Sequence, residues 1–308
     1  MKSFEIEHKN ICVVKENEYS EVFKGEKSQA LGGTRGYTSL ARNKKTTFPE
    51  NENSELDVAI ITAVDDEYYA VLNAFPGTTQ PNYENGASCF RQYSVKNKRE
   101  ISVGLFQQDA MGMVCAAILA SKIIYKYKPK LLAMCGICAG IDKEKMNLGD
   151  VVAFSPVYEY RAGKIKNGAF SPAYKQREVD ENVKRILDKM VHDKVLLNDI
   201  RSSATCNSKP RESLNAYIGY SASGAAVLAD KEHVNKLLEH QRNLSAIDME
   251  AYAIAEAACL AGERRVPWLV VKGVQDFADS SKSDDYREYA AFVSVEFMRR
   301  FLDYYFEK

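Results

Sequence analysis

The segment Val58-Ala-Ile-Ile-Thr-Ala-Val-Asp-Asp-Glu67 joins a short apolar run to a turn that ends in three consecutive acids. An apolar run of this length is typical of a buried strand, and acidic residues are favoured in the first turn of a helix. After Leu56, similar runs bounded by Gly, Asp and Pro alternate with stretches of helical periodicity. This alternation predicts the α/β class.

The strands and helices of this α/β region can be outlined from the same two patterns. The apolar runs predict buried strands at 58–62, 101–106, 131–135, 151–154 and 268–272. Helical periodicity predicts helices at 65–75, 113–127, 180–192, 230–240, 249–261 and 286–304. In the second helix, we expect a stripe with helical spacing to pack on the sheet, made of Val114, Ala117, Ile118 and Ser121. The polar stretch 201–215 predicts a loop.

The first 55 residues differ in composition from the rest of the chain. They contain one short apolar patch, Ile11-Cys-Val-Val14, followed from Lys24 to Asn53 by a stretch rich in Gly, Ser, Lys, Asn and Glu. Such a segment buries too little apolar surface to form a domain of its own. We therefore predict an N-terminal extension with a polar linker at 1–55 and one folded domain at 56–308.

The overall charge and hydropathy narrow the class of protein. The 308 residues include 42 Lys and Arg and 42 Asp and Glu, so the formal net charge is zero. A balanced charge does not favour binding to nucleic acid or to an anionic membrane surface. The sequence has no apolar run long enough for a membrane span and no signal-peptide core near Met1, which favours a cytoplasmic protein.

The seven cysteines are scattered along the chain, and most of them lie in apolar runs, where Cys behaves as a small buried hydrophobe. Cys135 and Cys138 have the spacing of a metal or dithiol motif. However, no second pair follows them, and none of the four histidines lies near them in sequence. The sequence therefore predicts no metal site and no cofactor.

Side chains suited to chemistry follow the predicted strands, at the places where open α/β sheets bind ligands. Asp276 comes after the last strand, where partial desolvation equips a carboxyl to act as a general acid, although capping the next turn is the commoner role. Asp248 fits the N-cap of a helix and places Glu250 in its first turn. A carboxylate there suits sugar hydroxyls, or it simply complements the helix dipole. Glu67 and the two acids before it fit either capping or a general base.

Two glycine-bearing turns are also predicted after strands, at Met111-Gly-Met113 and Gly136-Ile-Cys-Ala-Gly140. Glycine allows either a tight turn or the close approach of the backbone to a ligand. Neither segment matches a phosphate loop or a dinucleotide fingerprint. Each motif is weak alone, and the order of the motifs along the chain is the stronger signal.

Taken together, the motifs resemble the nucleoside phosphorylase superfamily, and most closely its hydrolytic branch, the methylthioadenosine/adenosylhomocysteine nucleosidases. The resemblance extends from about Asp57 to Phe306. The matching segments are 58–67, 111–117, 136–140, 148–152, 223–228, 247–251 and 274–279. The resemblance implies a three-layer α/β/α sandwich around a central mixed, partly barrel-like sheet. It also implies a hydrolase that cleaves purine N-ribosyl bonds.

The resemblance also implies roles for individual residues. Asp276 is expected to protonate the purine leaving group, and Glu67 is expected to activate the hydrolytic water. Met249 and Glu250 are expected to hold the ribose. The other positions implied to contact the substrate are Val227 and Leu228 at the purine edge, together with Gly112, Ala139, Gly140 and Phe154.

Several positions depart from the pattern of the family. Gln275 replaces the serine before the catalytic acid, so we expect a different contact to orient that acid. Val227 stands where the family has a base-stacking phenylalanine, and the candidates to replace it are Phe154, Tyr158 and Tyr160. Ile137 and Cys138 stand where phosphorolytic members carry hydroxyls for phosphate, and the first acidic turn has no arginine. The last two departures favour water over phosphate as the nucleophile.

The segments 272–279 and 160–164 look like those of a bacterial subset of the superfamily that is found in anti-phage defence. Some members of that subset cleave adenine from ATP and related nucleotides. A nucleotide substrate needs cations near the ribose 5′ position, because Arg and Lys bind phosphate by charge-assisted bonds. The candidates are Arg161, Lys164, Lys166, Arg91 and Arg211, although each also fits an ordinary surface charge.

Two other functions stay open on the sequence alone. One is a phosphate-dependent purine nucleoside phosphorylase, and the other is a catalytically inactive module that senses a nucleotide. In each case the partner is a small purine nucleoside or nucleotide. Because members of the superfamily assemble as dimers to hexamers, the resemblance implies a homo-oligomer. The extension at 1–55 fits an oligomerisation arm or a docking site for an activating protein.

Overall fold

The computed structural model describes residues 55–75, 88–96, 99–206, 208–210, 212–225, 231–263, 265–278 and 284–307. The strands are β1 (Val58–Thr62), β2 (Ser88–Val95), β3 (Arg99–Gln107), β4 (Leu131–Gly140), β5 (Val151–Glu159), β6 (Gly163–Lys166), β7 (Ala169–Pro172), β8 (Ala216–Ser223), β9 (Leu244–Asp248) and β10 (Trp268–Asp276). The helices are α1 (Asp65–Ala74), α2 (Met113–Tyr127), α3 (Glu181–Met190), α4 (Lys194–Ser203), α5 (Lys231–His240), α6 (Ala251–Leu260) and α7 (Arg287–Tyr305). Residues 1–54 lie outside the described ranges, so the division of the chain at residue 55 stays a prediction.

The main sheet has eight strands in the order β10-β5-β8-β9-β4-β1-β3-β2, and its pairs are both parallel and antiparallel. β10 pairs with β4 as well as with β5. Strands β4, β9, β8, β5 and β10 therefore form a closed ring, and β1, β3 and β2 extend the sheet from β4. β6 and β7 form a separate hairpin. This mixed, partly closed sheet confirms the predicted fold class.

Helices cover the sheet in two groups. α1 and α7 pack together, and α7 also contacts β10, β4 and β5. α2 and α6 pack together, and α6 contacts β10, β5 and β8. Strands covered on both faces are buried along their whole length, and every residue of β1 and β10 is buried. None of the described helices is long and apolar enough to cross a membrane.

The predicted helices agree with the observed ones to within two residues at each end, apart from α4, which the sequence reading missed. Every predicted strand is present, but β4, β5 and β10 run on to Gly140, Glu159 and Asp276. The prediction that 136–140 forms a turn is therefore wrong, and Asp276 is the last residue of a strand rather than a residue beyond it. Strands β2, β6, β7, β8 and β9 were not predicted, and the expected loop 201–215 begins inside α4.

The prediction that the stripe of Val114, Ala117, Ile118 and Ser121 on α2 packs on the sheet is wrong. Val114 is 73% exposed and Ile118 is 51% exposed. The buried residues of this helix are instead Ala116, Ala120, Ile123, Ile124 and Tyr127. Apolar residues surround almost the whole helix, so periodicity alone does not identify the face that packs.

Candidate active site

Glu67 lies in the first turn of α1, directly after β1, and is 1% exposed. Its Oε2 accepts hydrogen bonds from the backbone N–H groups of Ala63 (2.7 Å) and Val64 (3.3 Å). Its Oε1 accepts one from the N–H of Ile137 on β4 (2.9 Å). This approach to β4 requires glycine at position 136, because an added Cβ would overlap Glu67 Oε1. Backbone donors from two elements therefore fix the orientation of the carboxylate.

Glu250 immediately precedes α6 and is 4% exposed. Its Oε1 accepts hydrogen bonds from the backbone N–H of Gly112 (2.8 Å) and from the side-chain amide of Gln108 (3.4 Å). Gly112 has a φ of +112°, a conformation that favours glycine. Burial raises the pKa of Glu250 to about 7, although attraction to Lys272 opposes the rise.

Lys272 lies in the middle of β10, and its side chain is 1% exposed. Its Nζ is 3.8 Å from Glu67 Oε1 and 3.8 Å from Glu250 Oε2. Burial lowers the pKa of Lys272, but attraction to Glu67 and Glu250 outweighs burial and raises the pKa above its ordinary value. The charged ammonium therefore links carboxylates that belong to two different helix starts.

Asp248 ends β9 and adds a third buried carboxylate to the site. Its Oδ1 accepts a hydrogen bond from Ser223 Oγ (2.6 Å), and its Oδ2 accepts from the N–H groups of Glu250 (3.2 Å) and Ala251 (2.9 Å). Asp248 thus satisfies backbone donors at the start of α6, as a capping residue does. The helix itself begins at Ala251, so Glu250 occupies the N-cap rather than the first turn. Burial raises the pKa of Asp248, and the charge of Lys272 opposes that rise.

Asp276 is the last residue of β10 and is 7% exposed. Its Oδ1 accepts a hydrogen bond from the N–H of Ala278 (2.9 Å), a residue whose φ is +53°. The chain therefore turns sharply back toward the acid. Gln275 does not use its side-chain amide on this turn, since its Nε2 donates to Asp284 Oδ1 (2.9 Å). As expected from the missing serine, a different contact, the Ala278 N–H, helps to orient the acid.

Backbone pairing brings Asp276 to the same end of the ring as the other carboxylates. Asp276 pairs with Ala139 of β4, and Ala139 pairs with Ile247 of β9, the residue before Asp248. The buried Cys138 lies close enough to interact electrostatically with both Asp248 and Asp276. Burial raises the pKa of its thiol, and the charges of Asp248 and Asp276 add to the rise. The arrangement offers a carboxyl acid at the end of β10 and a carboxylate–ammonium–carboxylate cluster around Lys272 of the same strand.

Several predicted substrate residues lie at this end of the sheet. Ala139 and Gly140 end β4, Gly112 precedes α2, and all three adjoin backbone that carries the carboxylates. Met249 is half-buried between Asp248 and Glu250 in sequence. The structure therefore brings these positions to the site, and their contact with a substrate stays a prediction.

The residues predicted to contact the purine are either buried or outside the described chain. Phe154 and Tyr158 are completely buried, and the stacking role considered for each of them stays a prediction. Tyr160 is 6% exposed. Val227 and Leu228 lie outside the described residues, so the purine edge stays a prediction.

Three of the five basic residues considered for phosphate binding lie on exposed parts of the described chain. Arg161 follows β5 and its guanidinium is 5.8 Å from the centroid of the Tyr160 ring. Lys164 and Lys166 lie on the exposed β6. Arg211 and the side chain of Arg91 lie outside what the structure describes. A role of any of these residues in phosphate binding stays a prediction.

The sequence reading missed three polar residues of the site, Lys272, Gln108 and Ser223. Lys272 left a signal, because a charged residue in the run Trp268-Leu-Val-Val-Lys272 contradicts the apolar character of a fully buried strand. Gln108 and Ser223 left no comparable signal, since polar residues at strand ends are common. Their roles became visible only through their contacts with Glu250 and Asp248.

The pair Cys135 and Cys138 is buried in β4, and burial raises the pKa of both thiols. A raised pKa keeps a thiol protonated and poorly suited to bind a metal or to attack a disulfide. Among the described residues, no group of three or more His, Cys, Asp or Glu side chains is arranged to hold a metal ion.

The fold and the site define a class of protein: a mixed α/β protein whose candidate site lies toward the carboxyl ends of the parallel strands β1, β4 and β10. The chain belongs to the phosphorylase superfamily, whose family model matches residues 57–305. The family predicted from the ordered motifs is thereby confirmed.

Two relatives show how similar the chain is to individual proteins. An uncharacterised protein, y4jS, of Sinorhizobium fredii is 35% identical over 189 residues, which is 60% of this chain and 45% of the relative. The ATP nucleosidase Cap17 of Escherichia coli is 28% identical over 255 residues, or 77% of this chain and 49% of the relative. The chain thus spans about half the length of these two relatives.

Solved structures confirm the fold. The 5'-methylthioadenosine/S-adenosylhomocysteine nucleosidase of Neisseria meningitidis, solved with methylthio-immucillin-A, superposes with a TM-score of 0.62 at 18% identity. The match covers 80% of this chain and 98% of that one. At this identity the likeness concerns the fold, and the chemistry must be argued from the residues.

Proposed function

We propose that the chain hydrolyses the N-glycosidic bond of a purine nucleoside or nucleotide and releases adenine or another purine. The observation that carries the proposal is the buried Glu67–Lys272–Glu250 cluster, because the strand that supplies Lys272, β10, ends at Asp276. Two relatives support it by name, the Escherichia coli ATP nucleosidase and the methylthioadenosine nucleosidase structure.

Asp276 is the proposed general acid. Cleavage of the glycosidic bond places positive charge on the sugar and negative charge on the departing base, and protonation of the base removes the second charge. A well-placed acid of this kind accelerates a reaction by roughly 10²–10⁴-fold. The Ala278 N–H holds Oδ1 of Asp276 and so helps to fix the direction of the carboxyl group.

Glu67 is the proposed base that holds the attacking water. A carboxylate offers about four acceptor positions, and backbone N–H groups occupy three of those on Glu67. The remaining position suits one water molecule, in a fixed direction. Two separated carboxyls, one for the leaving group and one for water, resemble the inverting arrangement of glycoside hydrolysis.

Glu250 is the proposed ribose ligand, with Met249 beside it. Its Oε1 already accepts from two donors, Gly112 and Gln108, whereas its Oε2 lies 3.8 Å from Lys272 Nζ. Oε2 is therefore the oxygen suited to accept hydrogen bonds from sugar hydroxyls. Lys272 keeps this oxygen near the one on Glu67 that faces the water.

Charge favours water over phosphate as the nucleophile. Three buried carboxyl groups, those of Glu67, Glu250 and Asp248, surround the single ammonium of Lys272. A phosphate dianion brought to this cluster meets an excess of acidic groups, whereas a neutral water does not. Hydrolysis is therefore preferred to phosphorolysis.

The finer features of the substrate belong to the same proposal. Val227 and Leu228 read the purine edge, and Gly112, Ala139 and Gly140 approach the ligand with their backbone. For a nucleotide such as ATP, Arg161, Lys164 and Arg91 are the proposed phosphate ligands. The relative that is named an ATP nucleosidase supports this nucleotide version.

The setting of the protein is also proposed. We infer a cytoplasmic homo-oligomer in anti-phage defence, with residues 1–55 as the docking segment for an activating protein. The balanced charge of the chain supports a small-molecule substrate rather than nucleic acid or a membrane surface.

The test is chromatographic detection of free adenine from adenosine, methylthioadenosine, AMP and ATP, each with and without phosphate. We expect adenine and a free ribosyl product that do not depend on phosphate. We expect Asp276→Asn to lower kcat by at least about 10²-fold while ligand binding persists. Release of ribose 1-phosphate indicates the phosphorylase instead. If the wild type releases no base from any substrate, the proposal is wrong and a nucleotide-sensing module remains.

A further inference from the structure

A chain of polar contacts connects the backbone beside one proposed catalytic carboxyl to the backbone beside the other. Gln275 Nε2 donates to Asp284 Oδ1 (2.9 Å), and Arg287 Nη1 lies 3.8 Å from the same oxygen. Arg287 Nε donates to Asp66 Oδ2 (2.5 Å). Asp66 and Arg287 are 221 residues apart in sequence, so this contact joins α1 to the start of α7.

The two ends of this chain adjoin the proposed catalytic residues. Gln275 precedes Asp276, and Asp66 precedes Glu67. Gln275 is 4% exposed, so its amide has few alternatives to Asp284. Behind it, α7 packs directly on β10, because an added Cβ at Gly273 would overlap the carbonyl oxygen of Ala290.

Stability alone does not account for an arginine at this position. The side chains of Arg287, Asp66 and Asp284 are 31%, 56% and 55% exposed. Exposed ion pairs stabilise a fold by only about 0–1 kcal/mol. The shape of the side chain gives a more specific reason than stability does. The planar guanidinium reaches two carboxylates on two elements, whereas an ammonium presents a single nitrogen.

We propose that Arg287 is a positioning residue that fixes the separation between Asp276 and Glu67. The inference rests on the proposed function, because an acid and a base that act on one glycosidic bond need a fixed spacing. Misplacement of a reacting group by about 1 Å lowers a rate by up to about 10²-fold. Arg287 holds Asp66 directly, and it acts on Gln275 through Asp284.

The experiment compares Arg287→Met, Asp66→Ala, the double variant and Arg287→Lys, on the substrate that the wild type cleaves fastest. We expect Arg287→Met to lower kcat about tenfold with KM changed less than about twofold. Because both residues act through one contact, the double variant is expected to be no slower than Arg287→Met. Arg287→Lys is expected to recover part of kcat, since an ammonium still reaches Asp66.

A matched control is Lys96→Met. Lys96 pairs with Glu307 near the other end of α7 (2.9 Å), and its side chain is 34% exposed. This variant is expected to leave kcat unchanged. If Arg287→Met unfolds at a markedly lower temperature, Asp66→Ala at the exposed end of the contact gives the same comparison.

Unchanged kcat in Arg287→Met or strict additivity in the double variant overturns the inference while leaving the proposed function intact. A rise in KM alone overturns it too, because that result indicates lost substrate binding. If the wild type releases no purine, the proposed function is wrong and this inference falls with it.

Discussion

Lysine is almost never fully buried unless it is paired, and Lys272 is buried between two carboxylates. Burial of three carboxyl groups around one ammonium is stable only while the ammonium is present, because an unpaired buried charge is strongly unfavourable. Lys272 therefore serves the fold and the site together. Its positive charge also offsets the repulsion between Glu67 and Glu250, whose carboxylates both lie near the ammonium.

Replacement of Lys272 by methionine tests this dependence. We expect Lys272→Met to lower the free energy of unfolding by about 3–5 kcal/mol, because it leaves Glu67 and Glu250 uncompensated. Urea denaturation at pH 7.5 measures the change. Lys236→Met, which removes an exposed ion pair with Glu232, is the control and is expected to lose less than about 1 kcal/mol. A loss as small as that of the control contradicts the role given to Lys272.

At the scale of elements, the sequence predicted five of the eight strands described in the main sheet and six of the seven described helices, but it ended β4, β5 and β10 too early. β4 and β10 continue through Gly136 and Gly273, which the sequence alone marks as breakers. In the structure each glycine is required by a close approach, of Glu67 in one case and of α7 in the other. Close approaches between distant segments leave no local pattern, and for the same reason the contacts of Glu250 with Gln108 and Gly112 could not be read from the sequence.

The exposed face of α2 leads to a prediction about assembly. Val114, Ile118 and Tyr125 are 73%, 51% and 85% exposed, and apolar side chains in a row on one helix mark a protein contact. We expect a second copy of the chain to cover this face. The double variant Val114→Asp, Ile118→Asp is then expected to reduce the mass measured by size-exclusion chromatography with light scattering.

The control for this assembly experiment is Val195→Asp on α4. Val195 is 72% exposed, so the substitution adds the same charge at a valine of similar exposure on a different helix. It is expected to leave the mass unchanged. An identical mass for wild type and both variants shows that α2 is not the contact between copies.

At the scale of the whole molecule, the buried acids make stability depend on pH. Burial raises the pKa of Glu250 to about 7 from an ordinary value of 4.5, so between these two pH values the folded chain holds a proton that the unfolded chain has released. The free energy of unfolding therefore falls as pH rises through this window. Asp248, whose pKa burial also raises, acts in the same direction, whereas Asp57 and Glu256 have lowered pKa values and titrate at lower pH.

Urea denaturation at pH 5, 6, 7 and 8 measures this dependence. We expect Glu250→Gln to flatten the decline in unfolding free energy, because glutamine does not titrate, although the fall caused by Asp248 remains. The difference between the two proteins isolates the Glu250 contribution from all other groups. Parallel curves for wild type and variant indicate that Glu250 is already ionised at pH 5.

The closure of the ring by β10 has a consequence for the order of events during synthesis. β10 pairs with β4 and β5, which leave the ribosome long before it, and it carries both Lys272 and Asp276. Contacts between segments so distant in sequence form late, because bringing the segments together is entropically unfavourable. A nascent chain that lacks β10 has neither the acid nor the ammonium. The proposed hydrolase activity is therefore expected to arise in one late folding step, and not gradually as the chain emerges.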